Sequence, residues 1–151
     1  TSYWSSRPYG VDLSALALPA LEQHISQPVI ATLPLEALRS SAVRLWELDC
    51  STAAGEAAEA QRARFDCEVA SAGVFHGLAV WFSCELCKGV AFSTGPEVSA
   101  THWEQTLLFV GTDGPAYGQC LQPGDHITGE LKWLAHGRSL GVVMVGEVVR
   151  R

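Results

Sequence analysis

The tripeptide Thr101-His102-Trp103 is the clearest candidate for chemistry in this 151-residue sequence. It stands where the turn-rich stretch Phe92-Ser-Thr-Gly-Pro96 gives way to an apolar run that favours a strand. The start of a buried strand would explain Trp103, but a histidine beside it at a loop–strand junction is more typical of a functional site. We therefore predict that His102 and Trp103 belong to a site, with a core position for Trp103 as the alternative.

A second candidate is the pair of thiols in Cys84-Glu-Leu-Cys87. A thioredoxin-type motif needs a strand-to-helix turn, and a zinc site needs a second pair of ligands, which the sequence does not supply. If the pair lies in a strand, residues three apart point to opposite faces. The pattern favours structural cysteines and no metal site. The chain has five cysteines, an odd number at irregular spacing, which favours free thiols in a reducing compartment.

Nucleotide and serine-hydrolase motifs are missing from the sequence. The glycine-rich stretch 111–118 lacks the lysine and hydroxyl residue of a phosphate loop, and it is predicted to be a hairpin loop. The chain contains no Gly-x-Gly for a dinucleotide cradle and no Gly-x-Ser-x-Gly elbow. These classes of site are therefore not expected in this chain.

The elements that position the candidates are mostly strands. Prolines at positions 19 and 34 suit the first turns of two short helices, Pro19–Ile25 and Pro34–Arg39, with an extended segment at 27–32 between them. From residue 42 onward apolar and polar residues alternate, as in half-buried strands; the predicted strands are 42–48, 64–69, 74–86, 101–110, 127–133 and 140–149. Residues 51–63 are either a short helix or a loop. Many short strands without long helices predict a mainly β fold, an antiparallel barrel or sandwich.

Composition narrows the class of protein further. Hydrophobic residues make up 48% of the chain and charged residues only 17%, which excludes intrinsic disorder. The same composition indicates an apolar surface that packs against another part of a protein. A net charge of −6 without a basic cluster argues against direct nucleic-acid binding. The sequence has no signal peptide, no glycosylation sequon and no membrane-spanning run, so we expect an intracellular protein. Because it begins at Thr1, we expect it to be part of a longer chain.

Four motifs in order resemble those of one known family. They are Tyr3-Trp-Ser with Tyr9-Gly-Val-Asp-Leu-Ser14, then Phe75-His-Gly-Leu-Ala-Val-Trp-Phe82, Phe92-Ser-Thr-Gly-Pro96 and Thr101-His-Trp-Glu-Gln-Thr106. Together they make nearly all of the chain similar to the C-terminal half of protein arginine N-methyltransferases, most closely the type I enzymes. The resemblance implies an antiparallel β-barrel with a short inserted helical arm, divided into a leading segment 1–14, an arm of about 15–40 and a barrel 41–151.

The resemblance also implies roles for particular residues. Thr101, His102 and Trp103 would line the substrate-arginine pocket, with Trp103 as an apolar wall and His102 as a source of a hydrogen bond. The arm, including Leu16, Leu21, Ile25 and Leu35, would pair subunits into a homodimer. The family's donor-binding Rossmann-like domain, with its glycine-rich loop and paired glutamates, has no counterpart in this sequence. We therefore expect no catalytic residue and no bound S-adenosylmethionine in this chain alone.

The function implied for the parent enzyme is methyl transfer from S-adenosylmethionine to arginine residues of proteins, such as histones and RNA-binding proteins, in the nucleus or cytoplasm. This chain alone is expected to be inactive, without a membrane or nucleic-acid partner. One alternative is a non-catalytic binding or scaffolding module derived from the same family. Another is an unrelated small-molecule-binding β-barrel, which would leave the ordered motifs and the N-terminal helices unexplained.

Overall fold

The computed structural model describes residues 2–52, 60–110, 118–136 and 139–150. The chain divides into two compact units. The first comprises Thr1–Ala37 and His76–Tyr117, and the second comprises Leu38–Phe75 and Gly118–Arg151. Each unit is interrupted in sequence by part of the other, so each is held together by contacts between residues far apart in the chain.

Short helical elements come first and strands follow. The helices are α1 (Ser2–Ser5) and α2 (Ala17–Ile25), with single 3₁₀ turns at Pro8–Gly10, Ser14–Leu16 and Leu35–Ala37. The strands are β1 (Val29–Ala31), β2 (Ala60–Glu68), β3 (Gly73–Val74), β4 (Gly77–Val80), β5 (Ser83–Cys87), β6 (Val90–Ser93), β7 (Gln105–Phe109), β8 (Cys120–Leu121), β9 (His126–His136) and β10 (Ser139–Val149).

The first unit contains a three-stranded sheet and a hairpin. The sheet has the order β1-β7-β4, and both pairings are antiparallel, with Ile30 opposite Thr106 and Leu78 opposite Leu108. At Gly77 the neighbouring backbone approaches so closely that a β-carbon would collide with the carbonyl oxygen of Leu108. The pairing of β4 with β7 therefore requires glycine at that position. Strands β5 and β6 form the hairpin.

The second unit contains the sheet β10-β9-β2 and the short pair β3-β8, again antiparallel. In β2 the alternate residues Ala63, Phe65 and Cys67 are buried, and in β9 Ile127 and Leu131 are buried. The alternating pattern predicted for these two segments is confirmed, because one face of each strand covers the core. The strand predicted at 140–149 is confirmed as β10.

The N-terminal predictions are confirmed in part. The helix predicted at Pro19–Ile25 is α2, which begins at Ala17 and so places the proline in its first turn. The extended segment at 27–32 contains β1. The second predicted helix, Pro34–Arg39, is wrong in its extent, since only the 3₁₀ turn Leu35–Ala37 forms there.

The strand predicted at 42–48 is wrong, and the strands predicted at 74–86 and 101–110 are confirmed only in part, the latter as β7 alone. The run 74–86 is broken into β3, β4 and β5, and Leu86 within it is 68% exposed. Residues 42–48 form no hydrogen-bonded ladder with another strand. The nearest β-bridge is an isolated one, between Ser40 and Val69. The prediction for 51–63 falls largely on residues outside the described part of the chain, although 60–63 begin β2. The loop predicted at 111–118 also lies outside it, except for Gly118.

The fold is therefore mainly β, with antiparallel sheets and α2 as its principal helix. Hydrogen-bonded ladders among the described strands form four separate sheets and do not by themselves trace a closed barrel. In the described ranges, no helix has both the length and the apolar composition needed to cross a membrane.

Candidate functional site

The Thr101-His102-Trp103 loop lies directly before β7, at the loop–strand junction expected from the sequence. A turn closes it, in which the Glu104 backbone N–H donates to the Thr101 carbonyl oxygen at 3.2 Å. Glu104 has φ +51°, a left-handed conformation that is rare for a residue other than glycine. Such backbone strain persists only where the surroundings enforce it, and it is concentrated at functional sites.

Trp103 belongs to an aromatic cluster formed by Phe82, Phe92 and Trp103. Its indole stacks on Phe92 at 5.5 Å between centroids, and Phe82 meets both rings edge-on, at 5.7 Å from Phe92 and 6.2 Å from Trp103. Trp103 is nevertheless 56% exposed, and His102 beside it is exposed as well. The core position considered as an alternative for Trp103 is therefore wrong. The loop presents an imidazole and a broad apolar ring face at the protein surface.

The buried side chain of Gln105 anchors the 101–104 loop through two hydrogen bonds. The Gln105 side-chain amide oxygen accepts from the Leu33 backbone N–H at 2.7 Å, and its amide nitrogen donates to the Thr94 carbonyl oxygen at 2.6 Å. Gln105 is only 3% exposed, its bond to Thr94 is buried and its bond to Leu33 is part-buried, so leaving the Thr94 carbonyl oxygen unpaired would be costly. One side chain thus ties the start of β7 to the segment after β1 and to the turn after β6.

Two neighbouring contacts complete this anchoring. Thr94, which is buried, exchanges hydrogen bonds with the backbone of Phe82, and its hydroxyl accepts from the Phe82 N–H at 3.2 Å. The Thr32 hydroxyl donates to the Glu104 carboxylate at 2.9 Å, next to the strained backbone. The Phe92-Ser-Thr-Gly-Pro96 motif therefore acts as a support for the loop through its threonine.

The Thr101 hydroxyl oxygen is buried and has no hydrogen-bond partner within the described residues. Buried polar atoms are nearly always paired, so an exception calls for an explanation such as an absent binding partner. Of the three predicted pocket residues, Thr101 supplies this buried hydroxyl, and His102 and Trp103 supply exposed side chains. The structure brings all three together in one turn.

The predicted arm residues divide into two groups. Leu16 and Leu35 are about half exposed, as are Leu18 and Ile30 near them, whereas Ile25 is only 8% exposed. Leu21 lies between these extremes and lines a shallow pocket of about 150 Å³. The remaining pocket-lining residues are Trp4, Ala17, Ala20 and His24. The arm therefore has an exposed apolar surface, while its residues Leu21 and Ile25 are partly or fully buried.

No group of three or more potential metal ligands occurs within the described ranges. The residues of this chain also do not fit a site for S-adenosylmethionine. The sequence has no Gly-x-Gly turn, and the described strands are antiparallel, with no strand–glycine turn–helix unit to face a nucleotide.

Sequence reasoning missed the supporting residues Gln105, Thr94, Glu104 and Phe92. One signal was available for Gln105, which opens the strand Gln105–Phe109 ahead of its apolar run and is a rare amide at a buried strand position. Its partners Leu33 and Thr94 could not be inferred locally, since they are 72 and 11 residues away in the chain.

Residues 1–138 match the family model described as the arginine methyltransferase oligomerization subdomain. Since this match covers most of the chain, the chain belongs to that family.

Among curated relatives, human protein arginine N-methyltransferase 2 is 30% identical over 136 residues, which are 85% of this chain and 30% of the relative. Protein arginine N-methyltransferase 1 of Saccharomyces cerevisiae is 29% identical over 86% of this chain and 36% of its own length. Histone-arginine methyltransferase CARMER of Aedes aegypti is 28% identical over 74% of this chain and 19% of its own length. The chain thus spans about a fifth to a third of these relatives.

Solved structures show the same fold. A crystal structure of PRMT6 superposes with a TM-score of 0.71 at 19% identity, covering 97% of this chain and 48% of that one. The Trypanosoma brucei PRMT1 enzyme–prozyme heterotetrameric complex with AdoHcy gives a TM-score of 0.67 at 17% identity, covering 99% of this chain and 50% of that one. At these identities the likeness establishes the fold alone.

Proposed function

We propose that this domain works within a protein that transfers a methyl group from S-adenosylmethionine to arginine residues of other proteins. Its part is to line the substrate-arginine pocket through Thr101, His102 and Trp103 and to pair subunits through the arm of residues 15–40. The family's barrel, formed by residues 41–151, is part of the same proposal. Methyl-donor binding belongs to another part of the enzyme, and the donor supplies the electrophilic methyl group.

The observation that carries the proposal is the construction of the 101–104 loop. It combines a strained residue, Glu104, a buried Thr101 hydroxyl that has no partner among the described residues, and an exposed indole on Trp103. A stability-driven loop would be expected to bury the indole and pair the hydroxyl. These features are better explained by a surface prepared for a ligand.

The chemistry of an arginine side chain suits such a surface. A guanidinium stacks on aromatic faces, and an indole gives the strongest attraction of this kind. The Trp103 ring can therefore orient the planar group, and His102 can position a neighbouring hydrogen bond. Holding the attacking nitrogen in one orientation lowers the activation free energy without any covalent step by this domain.

The arm provides the second half of the proposal. Helix α2 has nine residues, a length that is marginal for an isolated helix in water, and the leucines at its start remain exposed. An exposed apolar surface of this kind is typical of an association site. We propose that a second copy of the full protein covers it, as the family's oligomerization role suggests.

The test is methyl transfer by the full-length enzyme to an arginine-containing peptide, with the lysine-substituted peptide as the control substrate. Trp103→Ala and His102→Ala are each expected to lower kcat/KM, corresponding to about 1–3 kcal/mol of activation free energy. Val74→Ala, which also changes an exposed apolar side chain, should leave kcat/KM unchanged. Unchanged kinetics in both loop variants would refute the site assignment. Peptide binding without methyl transfer by the wild type would instead favour the non-catalytic module.

A further inference from the structure

The hairpin of β5 and β6 contains an irregularity at the Cys84-Glu-Leu-Cys87 motif. Cys84 lies opposite Phe92 and Glu85 opposite Ala91, but the next pair joins Cys87 to Val90. The register shifts between Glu85 and Cys87, so Leu86 is the extra residue of a β-bulge.

This bulge changes the face on which the second thiol lies. In a regular strand, residues three apart point to opposite faces, and the sequence alone therefore separates the two cysteines. On β6, however, Phe92 and Val90 are two residues apart and share a face. Because Cys84 and Cys87 are their ladder partners, both thiols lie on that same face. The prediction of opposite faces is wrong for this motif.

The spacing on this face suits a reversible cross-link. Phe92 and Val90 neighbour each other on one face of β6, about 6.6 Å apart at two rises of about 3.3 Å, and their ladder partners Cys84 and Cys87 span the same stretch around the bulge. A disulfide spans Cα separations of about 4.4–6.8 Å and Cβ separations of about 3.5–4.5 Å, so this pair lies at the upper end of the Cα range, and its parallel side chains close only with a local backbone shift. Disulfides formed near the limit of their geometry are the more easily reduced ones.

Exposure distinguishes this pair from Cys67, and a shared strand distinguishes it from the two other exposed cysteines. Cys87 is exposed and Cys84 is partly exposed, whereas Cys67 is buried. Burial raises the pKa of the Cys67 thiol, which disfavours the reactive thiolate. Cys50 and Cys120 are exposed, but Cys50 lies outside the described strands and Cys120 is the single cysteine of β8, so neither has a second cysteine on its own strand.

We propose that Cys84 and Cys87 form a redox modification site, which closes to an intrachain disulfide by exchange with a low-molecular-weight disulfide such as oxidised glutathione. The Cys87 thiolate attacks one sulfur of the glutathione disulfide, which forms a mixed disulfide and releases one glutathione thiolate. The Cys84 thiolate then attacks the Cys87 sulfur and releases the second glutathione. The protein loses two protons and two electrons, and the two glutathione thiols carry them away.

The site neighbours the aromatic cluster. Cys84 is the direct ladder partner of Phe92, and the Phe92 ring stacks on Trp103. The cross-link would therefore form directly opposite Phe92, whose ring supports the candidate pocket loop.

The experiment exposes the reduced protein to oxidised glutathione, blocks the remaining free thiols by alkylation and digests the product with a protease that cleaves after glutamate. Glu68, Glu85 and Glu97 are cleavage points, so Cys84 lies in peptide 69–85 and Cys87 in peptide 86–97. We expect these two peptides to remain joined, the intact protein to lose the mass of two hydrogens, and dithiothreitol to reverse both changes.

Single substitutions separate the thiol that first attacks glutathione from the thiol that resolves the mixed disulfide. Cys84→Ser should stop the reaction at a lasting glutathione adduct on Cys87, and Cys87→Ser should abolish the joined peptides. Cys120→Ser, the matched exposed cysteine, should react like the wild type. A lasting adduct on Cys87 of the wild type, or cross-links formed through Cys50 or Cys120 instead, would overturn the proposal.

A second probe requires no oxidation. Phenylarsine oxide captures two thiols that lie on the same side of a strand, and we expect one equivalent to bind per chain. Either single serine substitution at Cys84 or Cys87 should abolish this binding, while Cys120→Ser should retain it. Equal binding by all variants would show that the two thiols are not the reacting pair.

Discussion

The Trp103 indole stacks on the Phe92 ring at 5.5 Å, with 26° between the planes, while more than half of its surface faces solvent. Trp103→Ala should therefore lower the free energy of unfolding by little more than the aromatic pair, about 0.5–1.5 kcal/mol. Phe75→Ala, at a position only 4% exposed, should cost about 3–5 kcal/mol. Urea denaturation of both variants checks this, and equal losses would mean that Trp103 is a core residue.

Gln105→Leu should destabilise the protein strongly. The substitution leaves the buried Thr94 carbonyl oxygen without this partner, at about 1–3 kcal/mol, and removes the acceptor of the part-buried Leu33 N–H, which adds a smaller loss. Gln23→Leu, on an exposed position of α2, provides the matched control and should change stability by less than about 0.5 kcal/mol. If chemical denaturation finds the two variants alike, Gln105 does not anchor the loop.

The association role of the arm can be tested by comparing substitutions at its exposed residues with a substitution at a buried one. In the full-length enzyme, Leu16→Asp combined with Leu35→Asp should leave the fold intact but yield monomers by light scattering, because both side chains are about half exposed. Ile25→Ala, at a buried position, should instead lower stability by about 2–5 kcal/mol. A double aspartate variant that remains dimeric would contradict the proposed association surface.

The buried thiol of Cys67 should make stability depend on pH in the alkaline range. Burial raises its pKa in the folded state, so the folded protein keeps the proton that the unfolded chain releases above about pH 8.5. Stability from this group is complete below the unfolded pKa and is lost as pH rises toward the folded value. Unfolding free energies at about pH 7.5 and 9.5 should therefore fall more in the wild type than in Cys67→Val. Equal falls would exclude this thiol as a cause.

The isolated chain should not bind S-adenosylmethionine. Its sequence lacks the Gly-x-Gly turn, and its described strands are antiparallel, so no helix N-terminus follows a parallel strand to receive a nucleotide. Calorimetric titration should give no saturable heat, with the full-length enzyme as the positive control. A stoichiometric site of micromolar affinity in the isolated chain would contradict the proposed division of roles.

Local pattern was sufficient where one face of a strand covers a core. The alternation in β2 and β9 follows from burial of Phe65, Cys67 and Leu131, and it is visible in the sequence. It failed at 74–86, because a period of two cannot reveal where a ladder breaks or where Leu86 bulges. It also failed at 42–48, since an alternating segment becomes a strand only if a partner lies beside it.

In the candidate site, too, some features are visible in the local sequence and others depend on tertiary contacts. His102 and Trp103 were identified from a local signal, a polar and an aromatic residue at a loop–strand junction. The groups that fix them were not, because Thr32 lies 72 residues from Glu104 and Leu33 lies 72 residues from Gln105. Hydrogen bonds between such distant residues follow from the tertiary fold and leave no periodic trace in the sequence.

The Gln105 amide limits how this domain can be shortened or recombined. Its oxygen is occupied by the N–H of Leu33, so removal of the N-terminal arm takes away the donor and leaves a buried acceptor beside the loop. A truncated version that starts after the arm should therefore lose order at the 101–104 loop, far away in sequence. The arm and the loop are consequently one structural unit, and grafting either onto another scaffold requires transferring both.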